Sequence, residues 1–177
     1  MCIRDRLSPD PAVADRVRYL ATQARQPVAH YEHTEVGYNY RLSNLLAALG
    51  RAQLARLPDL TAARRTVHDR YRERLSDVVE LMPLADDQHW NGWLTCIITP
   101  SGASRDGVLG ALDAEDVEGR PLWKPMHQQP VYTSHESYVT GVSDDLFARG
   151  VCLPSGSTLS LGHVDRIASL VRSALRV

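Results

Sequence analysis

The sequence is poor in cysteine and lysine, lacks any long apolar run and has no excess of either charge. A membrane span needs about 18 to 20 consecutive apolar residues. No window of the 177 residues approaches that length, and the N-terminus lacks the apolar core of a signal peptide. The 20 basic and 21 acidic side chains nearly cancel, whereas nucleic-acid-binding and polybasic membrane-surface proteins carry a positive excess. We therefore predict no nucleic-acid partner and no membrane partner.

The three cysteines, Cys2, Cys96 and Cys152, are odd in number and widely spaced. Small disulfide frameworks use even numbers of cysteines, and zinc knuckles use paired C-x-x-C spacings. The pattern fits neither, and it favours a cytoplasmic protein in a reducing environment. With 44% hydrophobic residues, the chain should bury a sizeable core, which predicts one domain or one domain plus a remnant.

The first 75 residues have the patterns of helices joined by loops. Residues 1–6 carry no start signal for a helix or strand, and we expect them to be a non-native leader. A helix is predicted over 11–23, where prolines precede apolar residues at helical spacing. A long amphipathic helix is predicted over 43–75 with Ser43 as its N-cap. Pro58 should kink or split it because proline lacks a backbone N–H, and its arginine-rich face is interpreted as a solvated surface.

The rest of the chain alternates short β-type runs with helices. This alternation indicates an α/β unit with a small sheet. The predicted strands cover residues 78–82, 93–99, 117–122 and 151–153. The predicted helices cover residues 104–114, a short segment ending at 149, and a terminal segment from 160 to about 175.

Residues 37–44, Gly-Tyr-Asn-Tyr-Arg-Leu-Ser-Asn, form the most informative segment. It places two aromatic rings, an amide and a guanidinium in a loop that ends at a helix N-terminus. Arginine offers a planar fork to a phosphate or carboxylate, an amide donates to a phosphate oxygen, and the helix end adds unpaired N–H groups. The segment therefore predicts an anion site. The alternative that Asn39 and Asn44 are only turn and capping residues stays open.

Residues 120–132, Arg-Pro-Leu-Trp-Lys-Pro-Met-His-Gln-Gln-Pro-Val-Tyr, carry convergent polar side chains on a proline-stiffened backbone. Many ligand walls are built this way. The segment contains Lys124, the single lysine of the chain, which is either a phosphate contact or an ordinary surface residue. Residues 153–157 lack the Gly-Lys-Ser/Thr of a phosphate-binding P-loop and are interpreted as a turn. No metal site is predicted, since His30, Glu32 and His33 lack a further ligand at fixed spacing.

With these motifs in order, the chain resembles the DegT/StrS family of sugar aminotransferases from about Leu7 to its C-terminus. The resemblance rests on three blocks of residues: 37–44 followed by 47–50 and 53–54; Arg64 and Arg65 leading to Tyr71 and Leu75; and 120–132 followed by 152–157. The last two look most like the branch that aminates UDP-linked 4-keto-6-deoxy sugars on the way to bacillosamine-type sugars. The chain departs from the family pattern at residues 90–93 and at His163, where an acidic residue usually completes the capping box.

The resemblance implies the C-terminal part of a type I fold of pyridoxal phosphate enzymes. Residues 7–42 would then be a remnant of the large cofactor domain with a loop that enters the partner subunit. Residues 43–75 would be the long connecting helix, and residues 76–177 a small α/β domain. That domain would hold a small, mainly antiparallel sheet of three or four strands with flanking helices.

The resemblance also implies the site. Asn39 takes the position of an asparagine that relatives donate across a homodimer interface to the phosphate of pyridoxal 5'-phosphate. Arg41 would face the substrate or the amino donor, and Trp123, Lys124 and His127 would form the wall near the sugar diphosphate. The lysine that holds the cofactor as a Schiff base would precede this chain, since Lys124 lies in the wrong motif to replace it.

The implied parent enzyme transfers an amino group from glutamate to a nucleotide-linked keto sugar for surface polysaccharide or glycan biosynthesis. Without the Schiff-base lysine, the chain alone is expected to be inactive, with no catalytic residue of its own. The rival hypothesis is a non-catalytic dimerisation or ligand-binding module derived from the same family.

Overall fold

The computed structural model describes residues 8–28, 30–83 and 90–175. Within the chain two compact units are distinguished, Met1–Arg56 and Leu57–Val177. The first is helical with a long loop, and the second is an α/β unit with a single sheet. The predicted leader lies outside the described residues.

Two helices with side-chain caps make up most of the first unit. Helix α1, Pro11–Ala21, begins after Asp10, whose Oδ1 accepts the N–H of Ala12 at 2.9 Å. Helix α2, Asn44–Ala55, begins after Ser43, whose Oγ accepts the N–H of Leu46 at 3.3 Å. Each cap satisfies a donor that the first helical turn leaves unpaired. The prediction of Ser43 as an N-cap is confirmed.

The long helix predicted over 43–75 is two helices, α2 and α3, the latter spanning Leu57–Leu75. At the break, the N–H of Arg56 donates to the carbonyl of Gln53 at 3.1 Å, the tighter spacing of a terminal turn. Pro58 follows two residues later and cannot donate to the carbonyl four residues before it. The expected split at this proline is confirmed.

Four short strands form one antiparallel sheet in the second unit, as predicted. They are β1, Glu80–Leu81; β2, Thr95–Ile98; β3, Arg120–Pro121; and β4, Gly150–Leu153. Their order in the sheet is β1-β2-β4-β3, and every neighbouring pair is antiparallel. The strand that comes last in the chain therefore pairs at the centre of the sheet.

The strands are shorter than the sequence predicts, and the edge strand β3 contains a proline. Pro121 lies opposite Val151, while Leu122, the next residue, donates its N–H to Gly150 at 3.2 Å. Hydrogen-bonded and non-hydrogen-bonded pairs alternate along an antiparallel ladder. Pro121 therefore occupies a position that needs no donor, which is where an edge strand tolerates proline.

Three helices flank the sheet: α4, Gly102–Asp113; α5, Val142–Arg149; and α6, Leu161–Leu175. Helix α6 starts with a modified capping pair. Ser160 Oγ accepts the N–H of His163 at 3.3 Å, and the His163 ring nitrogen Nδ1 lies 3.0 Å from the same hydroxyl. The His163 ring thus contacts the side-chain hydroxyl of the cap residue. In the usual capping box, a glutamate at this position would accept the backbone N–H of the cap residue instead.

The hydrophobic core belongs to the second unit and lies between one sheet face and the helices. Its side chains come from α3, β2, α4, β4 and α6, with Val79 from the turn before β1. The fully buried members are Tyr71, Leu75, Ile97, Val108, Leu112, Val151, Val164 and Val171. In the first unit, Ala24 is the one buried apolar side chain among the described residues. Most of the burial that stabilises this chain is therefore in the α/β unit.

Ion pairs join α3 to α6 at the edge of the core. Arg70 donates to both carboxylate oxygens of Asp165, at 2.8 and 2.7 Å, and Arg74 donates to the same group at 2.9 Å. These guanidinium groups lower the pKa of Asp165 to about 2. The carboxylate is solvent-accessible, so the pairs orient the two helices more than they add stability.

None of the helices in the described parts of the chain is both long and apolar enough to cross a membrane.

We predict that Leu112→Ala lowers the free energy of unfolding of the second unit by about 2 to 5 kcal/mol, because it leaves a cavity in a fully buried site. Urea unfolding followed by tryptophan fluorescence measures this unit, since all three tryptophans lie within it. The matched control is Leu161→Ala in α6, at a side chain that is 45% exposed, with an expected loss below about 1 kcal/mol. Equal losses in the two variants would contradict the assigned core.

Candidate functional site

The loop that carries Asn39 is bound to the end of α1 by backbone hydrogen bonds. The N–H groups of Tyr38 and Tyr40 donate to the carbonyls of Leu20 and Ala21, each at 3.0 Å, and Gln23 donates to the Tyr38 carbonyl at 3.3 Å. These bonds hold residues 38–40 extended beside the helix end. The loop therefore presents its side chains from an ordered backbone.

Gly37 allows this close approach. A Cβ at this position would lie 2.4 Å from the backbone nitrogen of Ala24 and 2.8 Å from the carbonyl oxygen of Leu20. Real Cβ atoms do not approach backbone so closely, and any side chain would force the loop away from α1. The glycine that opens the motif is thus required by packing.

Asn39 and Arg41 both extend into solvent from this loop. The Oδ1 atom of Asn39 accepts the N–H of Arg41 at 3.2 Å, which closes a local turn. Within residues 8–28, 30–83 and 90–175, neither Asn39 Nδ2 nor the Arg41 guanidinium has a hydrogen-bond or ion-pair partner. Asn39 is therefore a turn residue in this loop, and its Nδ2 atom remains available as a donor; the anion site stays a prediction.

The second unit contains a cleft of about 660 Å³ on the sheet face away from the core, within the usual size range of small-molecule sites. Its lining comes from the segment before β2, from β3 and the residues around it, from Phe147 of α5, and from β4 and the residues after it. The lining residues are Trp93, Leu94, Glu118, Arg120, Pro121, Leu122, Trp123, Lys124, Phe147, Cys152, Leu153, Pro154 and Ser155.

Two tryptophans and one lysine give the cleft its chemical character. The rings of Trp93 and Trp123 are 5.7 Å apart between centroids and inclined by 41°, and both remain more than half exposed. Lys124 follows directly, and its ammonium group has no ion-pair partner in the described parts of the chain. Arg120, by contrast, donates to Glu118 at 2.8 Å. An aromatic wall beside a free cation suits a planar, anionic ligand.

Buried hydrogen bonds fix the floor of the cleft. The hydroxyl of Ser155 accepts the N–H of Thr95 at 2.7 Å and donates to the carbonyl of Leu153 at 2.7 Å, which closes the end of the β2–β4 ladder. The hydroxyl of Tyr71, from α3, donates to the carbonyl of Pro154 at 3.1 Å. Burial raises the pKa of Tyr71 and keeps this donor protonated. The cleft floor is thereby tied to the core.

His127 lies outside this cleft. Its Nε2 is 2.6 Å from Oδ1 of Asp144 at the start of α5, and Gln128 donates to the same oxygen. The side chain lines a separate depression of about 430 Å³ with Met126, Tyr132, His135, Glu136, Ser137, Tyr138 and Val139. Trp123 and Lys124 therefore line one cleft, whereas His127 lines a different depression.

The histidines near residue 30 serve local hydrogen bonds. His33 Nδ1 lies 2.8 Å from the carbonyl of Gln23, and His30 Nε2 lies 3.1 Å from Glu32. Across the described parts of the chain, no three His, Cys, Asp or Glu side chains converge in a way that could hold a metal ion.

Several cleft residues were not assigned to a site from the sequence. Trp93 was noted only as a departure from the family pattern, and the turn at Pro154 and Ser155 was interpreted as structural. Phe147 gives no local signal, and the signal at Cys152, which starts the block 152–157, does not indicate a cleft, because both residues reach it through strand and helix packing. The available clue to the cleft was the pair of tryptophans at positions 93 and 123. Two exposed tryptophans in one small domain are uncommon on a surface that binds nothing.

The chain belongs to the DegT/DnrJ/EryC1/StrS aminotransferase family, whose profile matches residues 7–172. Members of this family are aminotransferases that depend on pyridoxal phosphate. A relative from Bacillus subtilis (strain 168), EpsN, bears the name of a pyridoxal phosphate-dependent aminotransferase. It is 43% identical over 173 residues, covering 93% of this chain and 44% of EpsN.

Other relatives have the same partial overlap. GDP-perosamine synthase from Escherichia coli O157:H7 is 30% identical over 162 residues, covering 92% of this chain and 44% of that protein. The crystal structure of the aminotransferase TlmJ from Streptoalloteichus hindustanus matches with a TM-score of 0.81 and 26% identity. That match covers 94% of this chain and 46% of TlmJ. The chain thus spans less than half the length of the relatives it matches, and its α/β fold is that of this part of an aminotransferase.

We predict that Tyr71→Phe lowers the free energy of unfolding by about 1 to 2 kcal/mol, because it leaves the Pro154 carbonyl without its buried donor. The control is Tyr138→Phe, at a side chain that is 90% exposed, with an expected change within about 0.5 kcal/mol. Urea unfolding of both variants provides the comparison. A Tyr71→Phe protein as stable as the wild type would show that this bond does not fix the cleft floor.

Proposed function

We propose that this chain forms the C-terminal part of a pyridoxal phosphate-dependent aminotransferase that transfers an amino group from glutamate to a nucleotide-linked keto sugar. The observation that carries the proposal is the free amide of Asn39, held on an ordered loop whose opening glycine admits no side chain. The relatives support the reaction class, because each named one is an aminotransferase or a synthase within the same family.

The residues of this chain fit the phosphate of the cofactor. Asn39 Nδ2 offers an uncommitted N–H donor, and a dianionic phosphate is the acceptor that gains most from such a donor. Arg41, two residues later, adds a positive charge to the same loop. When bound, pyridoxal phosphate supplies the electron sink for amino-group transfer.

The chain does not fit the carbonyl end of the cofactor. Its single lysine, Lys124, lies in the aromatic cleft after β3 and not in the Asn39 loop. We therefore assign the lysine that anchors the cofactor to the part of the relatives' sequence outside the match. On this proposal the chain alone has no turnover.

Arg41 and the cleft are assigned to the substrates. A guanidinium without a partner suits the carboxylate of glutamate or an anionic group of the sugar substrate. In the cleft, Trp123 offers a stacking surface and Lys124 a point charge for a diphosphate. His127 lines the neighbouring depression, where the ring nitrogen not bonded to Asp144 would offer a polar contact to a part of the substrate beyond the cleft.

The same proposal gives each part of the chain a place in the whole enzyme. Residues 7–42 would belong to the large cofactor domain and its cross-subunit loop, residues 43–75 to the connecting segment, and residues 76–177 to the small domain. Asn39 would serve the active site of the partner in a homodimer. The enzyme would act in the cytoplasm on precursors for surface polysaccharide or glycan synthesis.

For the nucleotide, we propose a UDP-linked 4-keto-6-deoxy sugar of the bacillosamine type. The resemblance to this branch rests on Arg64 and Arg65 with Tyr71 and Leu75, and on residues 120–132 with 152–157; of these, residues 120–124 and 152–155 line the cleft. The relative named for a GDP-linked sugar is less similar to this chain than EpsN. A comparison of UDP-linked and GDP-linked substrates therefore tests the branch separately from the reaction.

We predict that a fusion protein, in which the N-terminal part of EpsN precedes residues 8–177, retains pyridoxal phosphate and converts glutamate to 2-oxoglutarate with a UDP-linked 4-keto sugar. The present chain alone should do neither, because it lacks a lysine in the cofactor motif. Coupled detection of 2-oxoglutarate and cofactor absorbance after dialysis provide the two readouts.

The control is EpsN itself under the same conditions. Turnover with a GDP-linked sugar only would retain the aminotransferase and reject the UDP branch. A folded fusion protein that binds cofactor without any turnover would favour the rival hypothesis of a binding or dimerisation module. Turnover by the present chain alone would contradict the assignment of the anchoring lysine.

A further inference from the structure

Two free cysteines face each other across the centre of the sheet. Cys96 on β2 is the register partner of Cys152 on β4, and their sulfur atoms are 3.9 Å apart. The residues are far apart in sequence, so their pairing depends entirely on the antiparallel register. The sequence pattern by itself predicts no disulfide.

The pair occupies a non-hydrogen-bonded position of the ladder. Thr99 donates its N–H to the carbonyl of Arg149 at 3.0 Å, which makes 99 and 149 a hydrogen-bonded pair, and the two kinds of pair alternate. Three steps along, 96 and 152 are therefore not hydrogen-bonded to each other. The Cys96 carbonyl instead accepts the N–H of Met82, the residue after β1, at 3.1 Å.

That position suits a disulfide. Directly opposed residues in a non-hydrogen-bonded pair have Cα atoms about 4.5 Å apart, at the short end of the range of about 4.4 to 6.8 Å that disulfides bridge. Both side chains leave the same sheet face, because opposed residues on antiparallel strands do so. The backbone need not separate for the sulfur atoms to meet.

The surroundings give the two thiols different properties. The Cys96 thiol is partly accessible, whereas Cys152 is 6% exposed. A hydrogen bond from Cys96, and the nearby charge of Arg120, lower the pKa of Cys152, and the same bond raises the pKa of Cys96. Because the more accessible Cys96 has the higher pKa, its sulfur attacks an oxidant only after its proton has passed to the Cys152 sulfur 3.9 Å away; Cys152 then remains as the second nucleophile beside it.

We propose that Cys96 and Cys152 form a reversible intramolecular disulfide in the wall of the cleft, made by exchange with a low-molecular-weight disulfide. Cys96 Sγ attacks one sulfur of that disulfide and releases the first small thiol. Cys152 Sγ then attacks Cys96 Sγ and releases the second. The two protein thiols are oxidised, the small disulfide is reduced to two thiols, and the two protons leave with them.

Neither cysteine is among the residues assigned to amino-group transfer, although Cys152 lines the cleft that contains two of them, Lys124 and Trp123. Oxidation would join β2 to β4 covalently and close a chain segment of more than fifty residues. Closing such a loop restricts the unfolded chain and stabilises the fold. The proposal holds whether or not the aminotransferase assignment is correct.

The test treats a Cys2→Ser protein with oxidised glutathione and measures the intact mass, followed by non-reducing digestion. We expect the mass to fall by two hydrogen atoms with no glutathione retained, and a linked peptide pair containing positions 96 and 152. The midpoint of thermal unfolding should rise by several degrees and return after reduction with dithiothreitol.

Two further variants assign the order of attack. In the Cys2→Ser background, Cys152→Ser should retain one glutathione on Cys96, and Cys96→Ser should react little, because Cys152 is nearly inaccessible. Three results would overturn the proposal. They are glutathione that stays attached when both Cys96 and Cys152 are present, a disulfide between two chains, and two thiols that remain free in excess oxidant. The digestion is done on the Cys2→Ser protein with Cys96 and Cys152 intact. Its result therefore tests the proposal even if Cys96→Ser or Cys152→Ser does not fold.

Discussion

The antiparallel pairing of β2 with β4 is the constraint on which the second unit depends. Strand β4 comes last in the chain but lies inside the sheet, between β2 and β3. Its register with β2 directs Ile97 and Val151 into the core and Cys96 and Cys152 to the opposite face. A shift of one residue would exchange the two sets, so the core and the cleft are fixed by one ladder.

Polar groups secure that ladder where it ends. At the last pair of the ladder, the Ser155 hydroxyl accepts the N–H of Thr95 in place of a backbone carbonyl. Tyr71, on α3, donates its hydroxyl to the carbonyl of Pro154. A hydrogen bond therefore links the cleft lining at Pro154 to α3. The first unit uses a different device, since Gly37 lets an exposed loop bond directly to the end of α1. In both units, backbone contacts position side chains that remain free to bind.

Much of the fold was predictable because its signals are local. The cap at Ser43, the break near Pro58 and the alternation of strands and helices depend on neighbours in sequence. The Asn39 loop was also visible, because aromatic, amide and guanidinium groups are adjacent there. The cleft was only partly predictable: Lys124 and Trp123 share one segment, but Trp93, Cys152 and Tyr71 reach it through long-range pairing. No local pattern encodes the register that places Cys96 beside Cys152.

The central claim is that Asn39 donates to the cofactor phosphate of the partner subunit, and mixed dimers of the EpsN fusion protein test it most directly. One subunit carries Asn39→Ala, and the other has lost the cofactor-anchoring lysine of the EpsN part. We predict that mixing restores activity above the sum of the two homodimers, because the intact lysine then meets an intact Asn39 from the opposite chain. Asn91→Ala, which removes the same kind of local turn bond, is the control and should not impair the lysine-bearing homodimer's cofactor binding. Activity that never exceeds the two homodimers combined would contradict the claim.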